Sequence, residues 1–150
     1  MEQNLQKNET YIMNYIGVHA YFLNEQGEVL VLQRAATNRY KPQYWDIPGG
    51  KMQMHEDVEM AIRREVREET GLELAAVGKP LSVYVNRSQL PQRKDVQIVF
   101  ACTLKDTGAP VTINTREHET YRWIRPAQLP TILCMDYLTH FYREALEGRV

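Results

Sequence analysis

Residues 50–72, GKMQMHEDVEMAIRREVREETGL, restrict the fold and chemistry of this chain more than any other segment. Residues 57–70 predict a helix, and Gly71 is a natural position for its end because glycine readily adopts the left-handed conformation. At about 100° per residue, one side of this helix carries an apolar stripe of Val58, Ala61, Ile62 and Val66. The same arc holds three acids, Glu65, Glu68 and Glu69, while three basic side chains point the other way, Arg63, Arg64 and Arg67. The sequence therefore predicts that three carboxylates face the body of the protein.

Carboxylates that face a protein interior need a positive partner, because burying an isolated charge is costly. Acids spaced three and four residues apart on a helix also repel one another and resist ionisation. A divalent cation relieves both effects, and Mg²⁺ and Mn²⁺ prefer oxygen ligands. The alternative is a solvated acidic helix end whose glutamates pair with nearby arginines, but the helical projection places the acids on the wrong face for it. The pattern therefore favours a metal site.

The spacing of residues in this segment resembles the signature box of the Nudix hydrolases, in its MutT-like form. Every fixed position of the box matches, namely Gly50, Glu56, Arg64, Glu65, Val66, Glu68, Glu69, Gly71 and Leu72. The flanking segments YWDIPG at 44–49 and EHETYRW at 117–123 also look like this family. The resemblance implies a loop–helix–loop that binds Mg²⁺ or Mn²⁺. The activity it implies is hydrolysis of a nucleoside diphosphate linked to another group.

The resemblance also implies roles for single residues. The metal ligands would be the carbonyl of Gly49 and the carboxylates of Glu65, Glu68 and Glu69. Arg64, paired with Glu56 or Glu65, would hold the geometry of the box, and Arg34 would meet substrate phosphates. Three of these positions also have a plainer interpretation. Gly49 could form a tight turn after Pro48, Glu56 could be an acid favoured at a helix start, and Arg34 could be a surface arginine at the end of a strand.

Hydrolysis of a diphosphate requires that charge on the phosphoryl oxygens is neutralised and that a water loses a proton. The base stays open between Glu65, Glu68 and the downstream acid Glu117, with Glu119 as second choice. His118 could titrate near neutrality, although a single loop histidine is usually only solvated. Tyr40, Tyr44, Trp45 and Tyr84 could stack on a base, or could pack in the core or a lid. Of these we expect Tyr44 and Trp45 to bind substrate.

Size and composition fit one small domain over residues 1–150, with residues 1–10 as a loose N-terminal segment. A net charge of −1 gives little attraction to nucleic acid or acidic membranes. Two cysteines, Cys102 and Cys134, are too few for a disulfide scaffold, which predicts a reduced, cytoplasmic protein. The polar N-terminus lacks a signal-peptide core, and no apolar run is long enough to span a bilayer. We expect a monomer or homodimer that binds a small nucleotide.

The remaining pattern predicts a mixed sheet with a helix on each side, the arrangement of the Nudix α/β/α sandwich. Predicted strands cover residues 12–23, 28–33, 72–86, 95–104 and 119–125, the third being one long strand or two short ones. Predicted loops cover 34–44, 86–94 and 107–115. A second helix is predicted over 132–146, with five residues inward: Ile132, Leu133, Tyr137, Leu138 and Phe141.

Substrate choice lies outside the box. The proline of ADP-sugar hydrolases is not found near Arg87, the tyrosine of dinucleoside polyphosphate hydrolases is not found at Gln89 or Leu90, and the long motif of NADH pyrophosphatases is absent. These absences favour a nucleoside triphosphate or modified nucleotide, with an ADP-sugar or dinucleotide as the alternative. A non-catalytic nucleotide sensor and an isoprenoid diphosphate isomerase conflict with the intact box. An RNA 5′-end hydrolase would need a basic surface, for which Arg87, Arg93 and Lys94 give little support.

Overall fold

The computed structural model describes residues 15–87 and 94–150. The strands are β1 (Ile16–Tyr21), β2 (Val29–Arg34), β3 (Trp45–Asp46), β4 (Gly49–Lys51), β5 (Leu74–Arg87), β6 (Lys94–Leu104) and β7 (His118–Ile124). The helices are α1 (Val58–Thr70) and α2 (Asp136–Phe141), with a 3₁₀ segment at Pro126–Thr131 and a π-helical turn at Tyr142–Leu146. No helix in these two ranges is long and apolar enough to cross a membrane.

The strands form two sheets. The first is mixed and has the order β4-β1-β6-β5, with β1 parallel to β6 and the other neighbours antiparallel. The second is antiparallel and has the order β3-β2-β7. Both sheets contribute to the same two layers of core, so the molecule is the mixed α/β fold that the sequence predicts.

The two helices lie on opposite faces of the strands. Along β2, Leu30 and Leu32 join the core under α1, whereas Val29 and Val31 join the core under α2. The same alternation separates Phe100 from Val99 on β6, because successive strand side chains point to opposite faces. Strand segments covered on both faces are therefore mostly apolar, as in residues 29–32 of β2.

Helix α1 follows the prediction closely. Asp57 is its N-cap and accepts a hydrogen bond from the N–H of Met60 at 2.8 Å. Gly71 ends the helix with a φ of 71°, the left-handed conformation that glycine adopts without strain. Ala61, Ile62 and Val66 are fully buried, so the predicted apolar stripe faces the core and fixes the rotation of the helix.

Some predicted boundaries were wrong. The helix predicted over 132–146 begins only at Asp136, and Leu133 is exposed rather than inward. Trp45 interrupts helix formation there, because its N–H and carbonyl bond the backbone at Leu133 and Met135 and hold that stretch extended. The short strands β3 and β4 were not predicted, and β3 begins directly after the predicted loop 34–44. Predictions for residues 1–14 and 88–93 fall outside the described residues, and the single domain over 1–150 stays a prediction.

Candidate active site

A cavity of about 1090 Å³ opens beside β1, β4 and β6, on the α2 side of the first sheet. That volume suits a nucleotide-sized ligand. Its walls include backbone and side chains from both sheets and from α1, namely Gly49, Gly50, Glu65, Glu69, Arg34, Asp46, Glu117 and His118 among others. The structure therefore brings together most of the predicted site residues in one concave surface.

Two glycines of β4 allow close packing around the site, Gly50 against α1 and Gly49 against β1. A Cβ on Gly50 would lie 2.5 Å from the carboxyl carbon of Glu65, so the missing side chain leaves the space that this carboxylate occupies. A Cβ on Gly49 would lie 2.2 Å from the carbonyl oxygen of Val18 and 2.5 Å from Nδ1 of His19. The Gly49 N–H points towards Oε2 of Glu69 at 3.5 Å. Gly49 therefore serves strand packing, while its predicted role as a carbonyl ligand stays a prediction.

Glu69 is the most deeply buried acid of the site, with 5% of its surface exposed. Burial raises its pKa well above the usual range, and the negative charges of Asp46, Glu65 and Glu117 raise it further. Burial also raises the pKa of Glu65, against the opposing effect of the Arg64 guanidinium. The site thus concentrates negative charge where water cannot screen it.

Arg64 ties the parts of the box together, as the sequence predicts. Its guanidinium donates to both carboxylate oxygens of Glu56, to Glu65, to Glu68 and to the carbonyl of Lys51, at distances of 2.7–3.2 Å. The hydrogen bonds from Arg64 lower the pKa of Glu56 to about 2. Arg64 therefore fixes the loop, β4 and α1 relative to one another.

Glu68 departs from the prediction that all three acids of the helix turn inward. Its side chain is 58% exposed and pairs with Arg64 at 3.2 Å. The reason is the helical angle: Glu68 lies at the edge of the arc, whereas Glu65 and Glu69 point under β4. The predicted metal and catalytic roles of Glu68 remain predictions for an exposed side chain.

The donor set of the site suits a hard divalent cation. Glu65, Glu69, Asp46 and Glu117 all offer carboxylate oxygens to one cavity, and the buried Glu69 has little compensation beyond a long bond from Gly49. Within the described ranges, no three His, Cys, Asp or Glu side chains stand close enough to hold an ion in their present orientations. The chemistry of the donors therefore fits Mg²⁺ or Mn²⁺, with Glu65 and Glu69 as the side chains that would turn towards it.

Arg34 lines the cavity at the end of β2. Its guanidinium donates to the carbonyl of Tyr40 and to Asn38, and lies 3.7 Å from Asp46. These contacts hold the loop after β2 and leave the side chain one-fifth exposed. The position supports the predicted contact with substrate phosphates, which stays a prediction.

The two candidate downstream acids occupy different places. Glu117 lines the cavity and lies near enough to Glu69 to raise the pKa of that carboxyl. Its backbone is held by hydrogen bonds from Ala35 and Asn38. Glu119 is exposed on β7 and is not among the described residues that line the cavity. The geometry supports Glu117 over Glu119 as the candidate base.

The expectation that His118 is solvated was wrong. His118 begins β7, is 4% exposed and lines the cavity, and neither ring nitrogen has a hydrogen-bond partner among the described residues. Burial lowers its pKa below the usual value, although the negative charges of Asp46 and Glu117 oppose this effect. A neutral imidazole at the cavity wall follows from these surroundings.

The aromatic predictions separate into two groups. Trp45 is 6% exposed and packs in the core under α2, so it is not placed to stack on a substrate. Tyr44 packs against the same core, where the ammonium of Lys41 lies 5.1 Å from its ring. Tyr40 and Tyr84 line the cavity instead. The alternation that points Gln33 and Trp45 away from the cavity could not be foreseen, because no strand was predicted at residues 45–46.

Several polar residues of the cavity were not predicted from the sequence. Asp46 is buried, accepts a hydrogen bond from the hydroxyl of Tyr137, and lies 3.9 Å from Nδ1 of His19. The ring of His19 stacks on Tyr137 with centroids 3.9 Å apart. Asp95 and Gln97 also line the cavity. A signal for the last two was present, since they alternate with Val96 and Ile98 and so mark a polar face on a strand.

Comparisons with known proteins agree with this geometry. The family model of the NUDIX domain matches residues 13–146. The chain is 44% identical over 139 residues to the 8-oxo-dGDP phosphatase NUDT18 of Mus musculus, covering 91% of this chain and 38% of that protein. It is 30% identical over 91 residues to the 8-oxo-dGTP diphosphatase of Buchnera aphidicola, covering 61% of this chain and 68% of that protein.

A solved structure shows the same architecture. The MutT protein of Methanosarcina mazei is 29% identical, and the two chains superpose with a TM-score of 0.74 over 91% of this chain and 98% of that one. The family generally uses divalent metal ions, in keeping with the carboxylates gathered around Gly49 and Gly50. The chain belongs to the NUDIX family and is a pyrophosphohydrolase.

Proposed function

We propose that this protein uses Mg²⁺, or Mn²⁺ in its place, to hydrolyse the diphosphate linkage of a nucleoside di- or triphosphate, with a modified nucleotide as the preferred substrate. One observation carries the proposal: the buried Glu69 meets Glu65, Asp46 and Glu117 at a nucleotide-sized cavity. A site with this much unscreened negative charge binds a polyphosphate only together with a cation. When bound, such a cation would neutralise charge on the phosphoryl oxygens and lower the pKa of water.

The residues of the chain have separate tasks in this proposal. Glu65 and Glu69 hold the cation, and Gly50 gives Glu65 the room to do so. Arg64 keeps Glu65 and the loop acid Glu56 in place. Arg34, which also lines the cavity, meets the phosphates. Glu117 takes the proton of the attacking water, because it lines the cavity and remains exposed enough to exchange protons.

The named relatives support a modified purine nucleotide. Two of them, of Mus musculus and Buchnera aphidicola, carry names that refer to 8-oxo-dGDP and 8-oxo-dGTP. This chain spans 38% of the first and 68% of the second. A guanine nucleotide with an oxidised base is therefore the first candidate substrate.

A product assay with Mg²⁺ tests this function. Wild-type protein is incubated with 8-oxo-dGTP, 8-oxo-dGDP, dGTP, ADP-ribose and a dinucleoside polyphosphate, and the products are separated and quantified. We expect the oxidised nucleotides to give the monophosphate with pyrophosphate or phosphate. Conversion of ADP-ribose to AMP as the fastest reaction would contradict the proposed substrate class. Lack of hydrolysis of every compound would contradict the proposed function.

A further inference from the structure

Four residues form a polar wall on the side of the cavity away from α1. Lys51, Gly17, Gln97 and Tyr84 lie side by side in register across β4, β1, β6 and β5. Asp95 and Asn86 are paired in the next row on the same face. Since neighbouring strands are about 4.8 Å apart, Asp95 and Gln97 stand roughly 10 Å across the sheet from β4. Asp95 and Gln97 are thus about two strands away from β4, the strand that contacts the carboxylates of α1.

The side chains of this wall are held in one orientation by hydrogen bonds. The amide nitrogen of Gln97 donates to Oδ2 of Asp95 at 2.6 Å, and the amide oxygen of Gln97 lies 2.7 Å from Nε2 of His19. The absence of a side chain on Gly17 makes this possible, because a Cβ there would lie 1.9 Å from the Gln97 amide oxygen. A carboxylate only accepts, so Asp95 orients the amide, and the amide orients His19. The wall is therefore preorganised before any ligand binds.

Asp95 of this wall has no role in the proposed catalytic mechanism. It is 6% exposed and lines the cavity. A carboxylate has about four lone-pair directions; the Gln97 amide occupies one of them, and the hydroxyl of Tyr15 occupies a second. The phenol of Tyr15 lies alongside, and its pKa is raised by burial and by the negative charge of Asp95. A ligand that meets this carboxylate must bring N–H or O–H donors.

The nucleobases differ in the donors that they can offer. Guanine presents two adjacent donors, N1–H and the N2 amino group, which match the two oxygens of one carboxylate. Adenine and cytosine each place a single amino donor beside an acceptor nitrogen, and uracil and thymine place a single N–H between two acceptors. An acceptor beside a buried carboxylate is repelled. Aromatic rings at the same wall, Tyr15 and Tyr84, can cover the face of a base.

We propose that Asp95, positioned by Gln97 and His19, reads the N1–H and N2 amino edge of a guanine-type base and so determines the base specificity of the cavity. Oxidation of guanine at C8 leaves this edge intact, so the inference covers guanine and 8-oxoguanine nucleotides alike. It rests on the proposed function for the identity of the ligand as a nucleotide. It adds which residue selects the base, and by which edge of the base.

Equilibrium binding of nucleoside monophosphates tests the inference, because these ligands contain no diphosphate linkage. Dissociation constants of dGMP, dIMP and dAMP are measured by calorimetry in Mg²⁺. Wild-type protein should bind dGMP about tenfold or more tightly than dIMP, which lacks only the N2 amino group, and than dAMP. Asp95→Asn should abolish most of this preference. The surface variant Asp106→Asn is the matched control and should keep it.

Equal affinity of the wild-type protein for dGMP and dIMP would overturn the inference. This measurement needs no variant, so the test stands even if Asp95→Asn fails to fold. Retention of the guanine preference by a folded Asp95→Asn protein would overturn it too. Hydrolysis of dGTP and dATP by the wild-type protein is measured in parallel. Hydrolysis of both at equal rates, with equal binding of the monophosphates, defeats only this inference. Absence of all nucleotide hydrolysis, with the dGMP preference intact, defeats only the proposed function.

Discussion

At the scale of single residues, Glu69 sets the character of the site. It combines nearly complete burial with three neighbouring carboxylates, and the only N–H directed at it within the described residues is that of Gly49. In the absence of a cation this arrangement destabilises the folded protein whenever Glu69 is ionised. The proposed role of Glu69 as a metal ligand is therefore opposed to its effect on the stability of the metal-free protein.

Glu69→Gln should lower kcat by at least about a hundredfold at saturating Mg²⁺, because a ligand charge is lost while the shape is kept. In EDTA the same variant should be more stable than wild type at pH 7.5, by about 2–4 °C in Tm for each kcal/mol of repulsion relieved. Because the folded-state pKa of Glu69 is raised, the gain in Tm of the variant is fully present at pH values above that pKa. It disappears below the ordinary carboxyl value of about 4.3, where Glu69 is protonated in both states. Thermal unfolding at pH 7.5 and pH 4 measures the difference, and a lower Tm for the variant at pH 7.5 would refute it.

Glu117→Gln should lower kcat by about 10²–10⁴-fold and change KM by no more than a few-fold, because a base acts in the transition state. Glu119→Gln should have a smaller effect, since its side chain is exposed on β7. Steady-state kinetics of both variants and of the double variant make the comparison. If Glu117→Gln and the double variant retain most of kcat, the base is Glu65 or Glu68 instead.

At the scale of elements, the crossing of α1 under β4 creates the site. The box sequence predicts this helix well, because its caps, apolar stripe and acids are local features of a few turns. The polar wall on β1 and β6 depends on strand register across residues 78 positions apart, as in His19 and Gln97. No local sequence pattern determines which strands become neighbours. The polar wall could therefore not be predicted from the sequence and becomes visible only in the folded structure. The same limit explains Trp45, whose burial is set by the pairing of β3 with β2.

Alanine at the two glycines of β4 should separate catalysis from folding. Gly50→Ala pushes against the flexible carboxylate of Glu65, so kcat should fall by about tenfold or more while Tm changes little. Gly49→Ala pushes against the backbone of Val18, so it should destabilise the protein by about 1–3 kcal/mol. Denaturant unfolding and kcat are measured for both. Equal loss of stability in the two variants would show that Gly50 also serves strand packing.

At the scale of the whole molecule, the two cores share strands β1, β2 and β6, and the cavity lies where α1 reaches the sheet edge. If Glu65 and Glu69 hold a cation, as we propose, we expect its binding to affect the stability of the entire fold. Addition of Mg²⁺ should raise Tm, because only the folded state brings these carboxylates together. The increase should be larger at pH 7.5 than at pH 5, since protons compete for Glu69, whose pKa is raised. A scan of Tm against Mg²⁺ at both pH values measures it, and Glu69→Gln should remove most of the effect.

The carboxylates gathered at Gly49 and Gly50 are the basis for proposing a cation-dependent hydrolase of nucleotide diphosphate linkages. The most direct test is the initial rate of pyrophosphate release from 8-oxo-dGTP, measured with Mg²⁺, with excess EDTA, and after Mg²⁺ is restored. The account predicts turnover with Mg²⁺, a rate at background in EDTA, and full recovery on restoration. Undiminished turnover in excess EDTA would contradict it.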